Sequence, residues 1–431
     1  MRSLMLILGL GFLRGSAAQA PADQPLRISL QDALARARAN SPQFQSANIN
    51  ALLAHEDRVQ ARAGLLPTVN YFNQFIYTQP NGTPSGVFVA NDGVHVYNSQ
   101  GQVHGDIYAP GKRADYQRTI AAEALARAKA DVAARGLVAA VVQGYYTLVA
   151  STRKLGNAQQ SLREAQQFVD ITTKQEQGGE VAHADVVKSQ IQLEQRQRDA
   201  QEAQLAVDRS RIGLAVVIFP DFRQDFTVED DLQNSPALPP FSEVEGLAAK
   251  NNPDIRAAQA AVQQEKFGVA SARSAFLPSL SFDYFYGIDA NQFALYNRSH
   301  QNNLGSAAQA QLTIPVWNWG ASRSKLKQAQ LHLQQARLDL SFTQRQLLGN
   351  LNTFFQEAQA SRSQMDSLRH SADLSSDSLR LTLLRYQAGE ASVLEVVDAQ
   401  STLATARNAY DDGLVRYRVA VAELQTLTGT F

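Results

Sequence analysis

No cysteine occurs among the 431 residues. That absence excludes disulfide frameworks, thiolate zinc sites, cysteine nucleophiles and iron–sulfur clusters together, and also a lipidated cysteine anchor. Neither sign of charge is in excess. Forty Lys+Arg stand against forty Asp+Glu, so the chain carries no global footprint for nucleic acid, and no nucleic-acid partner is expected. Catalytic signatures are missing too: there is no HExxH and no G-x-S-x-G, and Gly111-Lys112 lacks both the preceding glycine and the following Ser/Thr of a phosphate loop. The histidines (55, 95, 104, 183, 300, 332 and 370) are scattered. His95 and His104, in or near a predicted strand, are read as exposed or hydrogen-bonded imidazoles before metal ligands. The chain is therefore not expected to be an enzyme, nor to hold a metal or cofactor.

Long apolar runs are also scarce. Arg2 followed by Leu4 to Leu13 and then Ala18-Gln19-Ala20 predicts a secretory signal peptide over residues 1–20, because the apolar run is too short to span a bilayer. Pro21 leaves the cut uncertain by a few residues. Gly136 to Ala150, interrupted by Gln143 and Gly144, is better read as a buried helix than as a span. If the exported chain crosses a membrane, it must do so with strands.

What is present is one unit written twice. Asn40-Ser41-Pro42 and Leu66-Pro67 return as Asn251-Asn252-Pro253 and Leu277-Pro278, offset by 211 residues. Gln177-Gly178-Gly179-Glu180 and Val186-Val187 return as Gln387-Ala388-Gly389-Glu390 and Val396-Val397, offset by 210. The expected layout is a first repeat over 21–219, a proline-rich linker over 220–241 with the acidic patch Glu229-Asp230-Asp231, and a second repeat over 242–431. Each repeat reads as a helix, two strands and a long helical hairpin.

The strand regions differ chemically from the rest. Residues 67–109 have no Lys or Arg, and 278–322 have only Arg298. From Pro67 to Pro110 and from Pro278 to Trp319 lie 15 of the 34 aromatics, and Leu280, Phe282, Tyr284, Tyr286 and Ile288 alternate with smaller or polar residues. Charge depletion with Tyr108, Trp317 and Trp319 near strand ends predicts transmembrane strands anchored at an interface. Lys112 to Gln177 and Ala321 to Gln387 contain no proline, and Leu326, Leu333, Leu340, Leu347 and Phe354 hold a heptad spacing that argues coiled-coil packing. Glycines near 178–179 and 389 mark where these helices reverse. Four strands cannot close a barrel, for which about eight are needed, and open edges are not tolerated in lipid. The protomer must therefore associate through its strands.

This layout, with Asn40-Ser41-Pro42, Leu66-Pro67, Leu277-Pro278, Tyr386-Gln-Ala-Gly389 and Leu394-Glu395-Val-Val-Asp398-Ala399-Gln400, resembles the TolC-type outer-membrane efflux protein family over nearly the whole mature chain. The resemblance implies a mixed α and β membrane protein. Four transmembrane strands per protomer would contribute to a trimeric twelve-stranded barrel, continued by a long periplasmic antiparallel coiled-coil tube. It implies a homotrimeric passive exit duct in the outer membrane of a Gram-negative bacterium, in contact with outer-membrane lipid. The duct would dock a periplasmic adaptor (membrane fusion protein) and an inner-membrane pump of RND, ABC or MFS type. Drug, metal and protein cargo would share the duct, since the pump does most of the selecting.

The resemblance further implies a periplasmic gate at Glu395 and Asp398, with Tyr386 hydrogen-bonding to a neighbouring coil and Asp185 as its acidic partner. The family's latch arginine falls on Ala391, so that part of the lock is expected to be missing. Lys188, in the first repeat at the place of Asp398, could neutralise part of an acidic ring. Gly179, Glu180, Gly389 and Glu390 match adaptor-docking turns. The competing expectation is a soluble periplasmic coiled-coil scaffold or adaptor without a pore. It accounts for the heptads but not for the charge-free aromatic strands.

Overall fold

The computed structural model describes residues 26–77, 95–234 and 236–430. The expected signal peptide and the loop joining the first strand pair lie outside them. In chain order the elements are β1 (Leu26–Ile28), α1 (Leu30–Asn40), α2 (Pro42–Ala63), β2 (Thr68–Tyr77), β3 (His95–Tyr108), α3 (Pro110–Gln177), α4 (His183–Ile218), β4 (Phe226–Val228), α5 (Phe241–Asn251), α6 (Pro253–Ser274), β5 (Ser279–Ala290), β6 (Leu304–Thr313), α7 (Ala321–Gln387) and α8 (Val393–Thr428).

Two differences from the sequence reading stand out. The opening helix of each repeat, expected to be continuous from Leu30 to Gly64 and from Phe241 to Ala275, is broken at Ser41-Pro42 and at Asn252-Pro253. Proline disfavours helical backbone at the preceding residue but fits the first turn of a new helix. Each break also joins two helices end to end. Asn40 donates to the carbonyl of Ile218 at the end of α4 (2.9 Å), and Asn252 donates to that of Leu427 in the last turn of α8 (3.2 Å). The motif therefore caps a carbonyl near the end of the arriving helix while Ser41 and Asn252 cap the departing one, accepting from Phe44 N and from Asp254 N.

The second difference is in the linker, which carries β4 paired in parallel with β1 (Leu26↔Phe226, Ile28↔Val228). This ribbon is fastened to the middle of the tube. Tyr145 donates to the carbonyl of Glu229 (2.7 Å), Tyr146 donates to Asp231 (3.1 Å), and Arg418 reaches both Tyr146 Oη (2.7 Å) and Asp231 (2.8 Å). Burial, the largest cause, pushes both phenols well above the ordinary tyrosine value. Arg153 binds Asp230 and Asp411 beside it, tying α3 to the linker and to α8.

One 18-residue window of α3 is apolar enough by length and composition to cross a membrane. Its Val141, Val142, Tyr145, Tyr146 and Val149 instead pack with Leu34 of α1, Leu214 of α4 and Ala422 of α8 in the main apolar core. Each fully buried valine or leucine among them contributes about 1.5–3 kcal/mol. On α7 the heptad positions Leu326, Leu333, Leu340 and Phe354 are partly shielded, and Leu347 is 8% exposed with Leu351 one turn on at 1%, against 63% for Leu338. Helices α3–α4 and α7–α8 form the long hairpins, while α2, α3, α6 and α7 lie side by side. That helix order matches the strand order β2-β3-β5-β6 of the antiparallel sheet above them.

One buried charge fixes α2 on α3. Glu123, 4% exposed, is held by Arg58 (2.6 Å), Arg127 (2.5 Å) and His55 (3.0 Å). Burial, the largest cause, raises its pKa, but the hydrogen bond from His55 and the charges of Arg127 and Arg58 together outweigh it, so the carboxyl sits below its ordinary value of 4.5. A folded-state pKa below the unfolded one gives stability that is present above the unfolded pKa and lost as pH falls through the folded one. Glu123→Gln is therefore expected to destabilise by about 1–3 kcal/mol at neutral pH. In thermal melts followed by helical circular dichroism, its gap from wild type should narrow as pH drops below 4.5 and close in stronger acid.

Candidate functional site

The sheet has two chemically distinct faces. Through the register Gln100↔Gly287, Gln102↔Phe285, His104↔Asp283 and Asp283↔Gln309, one face carries Asn70, Gln74, Asn98, Gln100, Gln102, His104, Asp106, Asp283, Asp289, Gln309 and Gln311. The other carries Val69, Tyr71, Phe75, Tyr97, Val103, Phe282, Tyr284, Tyr286, Ile288, Leu304 and Leu312. Period-two alternation of this kind suits a wall with lipid on one side and water on the other. His104 meets Asp283 (2.8 Å), to which Gln102 also donates (3.1 Å), so this imidazole is hydrogen-bonded within the polar row. Edge strands β2 and β6 have one neighbour each, leaving two unpaired ladders. Trp317 and Trp319 are 75% and 90% exposed and meet edge to face at the foot of the sheet, between β6 and α7. Tyr108, 49% exposed, closes β3 just before α3. The three candidate interface anchors therefore all lie where a strand gives way to a long helix.

At the far end of the tube the two hairpin tips are built alike. Glu180 N bonds to Gln175 O and Glu390 N to Arg385 O, both at 2.8 Å. Gly179 and Gly389 both adopt φ +78°, a left-handed turn conformation that glycine enters without steric cost. Gly179, Glu180, Gly389 and Glu390 are all exposed. Just behind the tips, Phe168 of α3 packs with Leu379 and Tyr386 of α7 and with Val393, Val396 and Leu403 of α8, so the hairpins touch through an apolar cluster.

The candidate gate residues fall into three environments here. Tyr386 is 3% exposed, stacked edge to face on Phe168, and its hydroxyl has no hydrogen-bond partner among the described residues. Burial first, and then the nearby charge of Asp185, raises its pKa. Glu395 is the third residue of α8 and forms a reciprocal capping box with Ser392, its carboxylate accepting from Ser392 N (3.1 Å). That backbone hydrogen bond, then the Ser392 hydroxyl and lastly the charge of Arg385, together outweigh the opposing effect of burial and hold its pKa below the ordinary glutamate value. Asp398 is exposed and its side chain has no hydrogen bond or ion pair among the described residues, and the same is true of Lys188.

The residue that sequence reasoning missed is Arg385. It lies 3.5 Å from Glu395 and donates to the carbonyl of Glu390 (3.1 Å), so it ties α7, the turn and α8 together. Ala391, the position on which the family's latch arginine falls, packs against the apolar cluster. Nothing in the local spacing announces Arg385, ten residues from its carboxylate. The capping box was visible as Ser392-x-x-Glu395 before an apolar run.

Comparisons with known proteins agree with this architecture. The family model described as "Outer membrane efflux protein" matches residues 33–218 and again 245–430. Among relatives, the alkaline protease secretion protein AprF of Pseudomonas aeruginosa is 20% identical over 93% of this chain and 84% of its own. The outer membrane protein TolC of Vibrio cholerae is 22% identical over 92% and 89%. The cation efflux system protein CusC of Escherichia coli K12 is 26% identical over 68% of this chain and 63% of its own. Among solved structures, the CmeC outer membrane channel of Campylobacter jejuni superposes with a TM-score of 0.82 at 16% identity, covering 99% of this chain and 94% of that one. With the model matching both halves of the molecule, strands and hairpins alike, this chain belongs to the outer membrane efflux protein family, the TolC-type channels of Gram-negative outer membranes.

Proposed function

We propose that three copies of this chain close their open sheets into one barrel and form the outer-membrane exit duct of a tripartite efflux or type I secretion system. The observation that carries this reading is the four-stranded sheet with one polar and one apolar face, whose order continues directly into the helices of the tube. Two unpaired edges need partners in lipid, and copies of the same chain supply them. The two repeats are taken as 21–219 and 242–431, each giving one strand pair and one hairpin. Cargo would pass along the polar row, delivered by an adaptor docked on the exposed turns Gly179-Glu180 and Gly389-Glu390 and by an inner-membrane pump.

The gate would be the cluster behind those turns. Opening requires the hairpins to part, which exposes Phe168 and Tyr386, while the Arg385 contacts, all within the second hairpin, keep its tip in shape. The two acidic residues then have different tasks. Glu395 is engaged by its cap and by Arg385, so it holds the tip in shape. Asp398 is free, and three copies around the axis would make an anionic ring favouring cations.

Planar-bilayer conductance of the purified protein tests this directly. Wild type is expected to give a small cation-selective conductance. Asp398→Ala should lose much of the selectivity, while Glu395→Ala/Asp398→Ala should also conduct more. Unchanged conductance in both variants would move the gate elsewhere. Folded protein with no pore would overturn the duct and leave a soluble scaffold.

A further inference from the structure

At the foot of the sheet, where α3 begins and α6 ends beside it, lies a cleft of about 980 Å³. Its walls combine apolar residues, among them Tyr108, Phe267 and Leu277, with three cations: Arg113, Lys266 and Arg273. All three cations are exposed, and none has a hydrogen bond or ion pair through its side chain among the described residues. Asp106, the carboxylate on the wall, is already paired with Lys112. The cleft therefore carries uncompensated positive charge beside apolar surface. That pairing of chemistries matches a molecule with an anionic head and a hydrocarbon tail, and it is poorly suited to a free small anion.

The level of the cleft narrows the choice further. Tyr108 ends the outward row of β3, opposite Leu280, and also lines the cleft. Trp317 and Trp319, the exposed aromatics of the membrane interface, stand at the same foot of the sheet. The cleft is thus reached by Tyr108 of the outward row and by Asp106 of the polar row, where β3 passes into α3. Its main walls belong to α3 and α6, the two central helices of the row α2–α3–α6–α7, with Leu65 just past α2 and Leu333 of α7 at its margins.

We propose that this cleft is a binding site for an anionic phospholipid of the periplasmic leaflet, its phosphate held by Arg113, Lys266 and Arg273 and an acyl chain lying along Tyr108, Phe267 and Leu277. The proposal rests on the barrel being seated in the outer membrane. The site would fix the depth of the barrel and brace α3 against α6 where strand becomes helix. Basic side chains at a membrane surface each strengthen attachment to anionic lipid several-fold.

The test titrates the detergent-purified full-length assembly with short-chain phosphatidylglycerol, read by native mass spectrometry. Parallel titrations use inorganic phosphate and a neutral diacylglycerol of equal chain length. Wild type is expected to bind phosphatidylglycerol saturably, Lys266→Gln more weakly, and Arg113→Gln/Lys266→Gln/Arg273→Gln about a hundredfold more weakly. The variants should keep wild-type helicity and assembly size. Leu277→Asn should weaken the lipid without creating phosphate binding. Equal lipid binding by wild type and by the folded single and triple variants would mean an unspecific lipid coat and overturn the proposal. Competition by inorganic phosphate at equal concentration would overturn it in favour of a free-anion site. Because the titration is done in detergent, a protein that binds lipid here yet forms no pore would fail the duct reading alone.

Discussion

Replacing Gly287 by valine is expected to abolish barrel assembly while leaving the helical part folded. Gly287 sits in β5 opposite Gln100 of β3 and Gly305 of β6. A Cβ at this position would stand 2.2 Å from the carbonyl oxygen of Ser99 and 2.6 Å from the Cα of Gln100. Both are backbone atoms of the neighbouring strand, so no side-chain rotation can relieve the clash. The two central strands would have to separate at mid-sheet, losing ladder bonds that lipid cannot replace. Overpacking alone costs about 1–3 kcal/mol, and the broken ladder adds to it. Heat-modified gel mobility of the assembled form and outer-membrane fractionation are the measurements. Gly287→Val should yield unassembled chains with near-normal helical circular dichroism. By contrast, Gly105→Ala should be much milder, because the atoms its Cβ would meet belong to the Phe282 ring, which can swing aside. Equal assembly of Gly287→Val and wild type would mean that β3 and β5 do not approach this closely.

The second large effect is expected at Arg418. Its guanidinium joins Tyr146 of α3 and Asp231 of the linker to α8 and lies 5.6 Å from the Tyr146 ring centroid. The side chain is 16% exposed and that of Asp231 30%, so the pair is substantially shielded from water. Arg418→Ala leaves Asp231 without its cation, and removing one member of such a pair costs about 2–4 kcal/mol. A double-mutant cycle with Asp231→Asn, read by chemical denaturation of the detergent-solubilised protein, should return a coupling of about 1–3 kcal/mol. Coupling near zero would mean that the ribbon is held by its backbone contacts alone. Arg418→Lys should recover only part of the loss, since a lysine cannot reach the phenol and the carboxylate together in the planar geometry a guanidinium offers.

These two sites differ in how far the sequence announced them. Strand faces were legible because alternation of Leu280, Phe282, Tyr284, Tyr286 and Ile288 with smaller residues survives any uncertainty in the ends. Long helices were legible because sixty-odd residues without proline and with leucines every seven admit little else. Arg418 carried no such mark. On α8 it is one of several charged residues, and only the return of the linker to the tube wall brings Asp231 against it. The same holds for Arg385, whose partners Glu390 and Glu395 come near only when the turn at Gly389 closes.

The sequence by itself determined the repeated layout, the two faces of the sheet, the helical hairpins and the glycine turns between them. Each depends on local periodicity or on a residue whose backbone preference acts within a few positions. Tertiary structure alone decided which helices meet end to end at Asn40 and Asn252 and how the linker becomes a ribbon with β1. Those outcomes depend on groups far apart in the chain arriving at one place. At the tip the two kinds of cause meet: the local Ser392 cap marks Glu395 in sequence, whereas only the closed turn brings Arg385 to it and leaves Asp398 without a side-chain partner among the described residues.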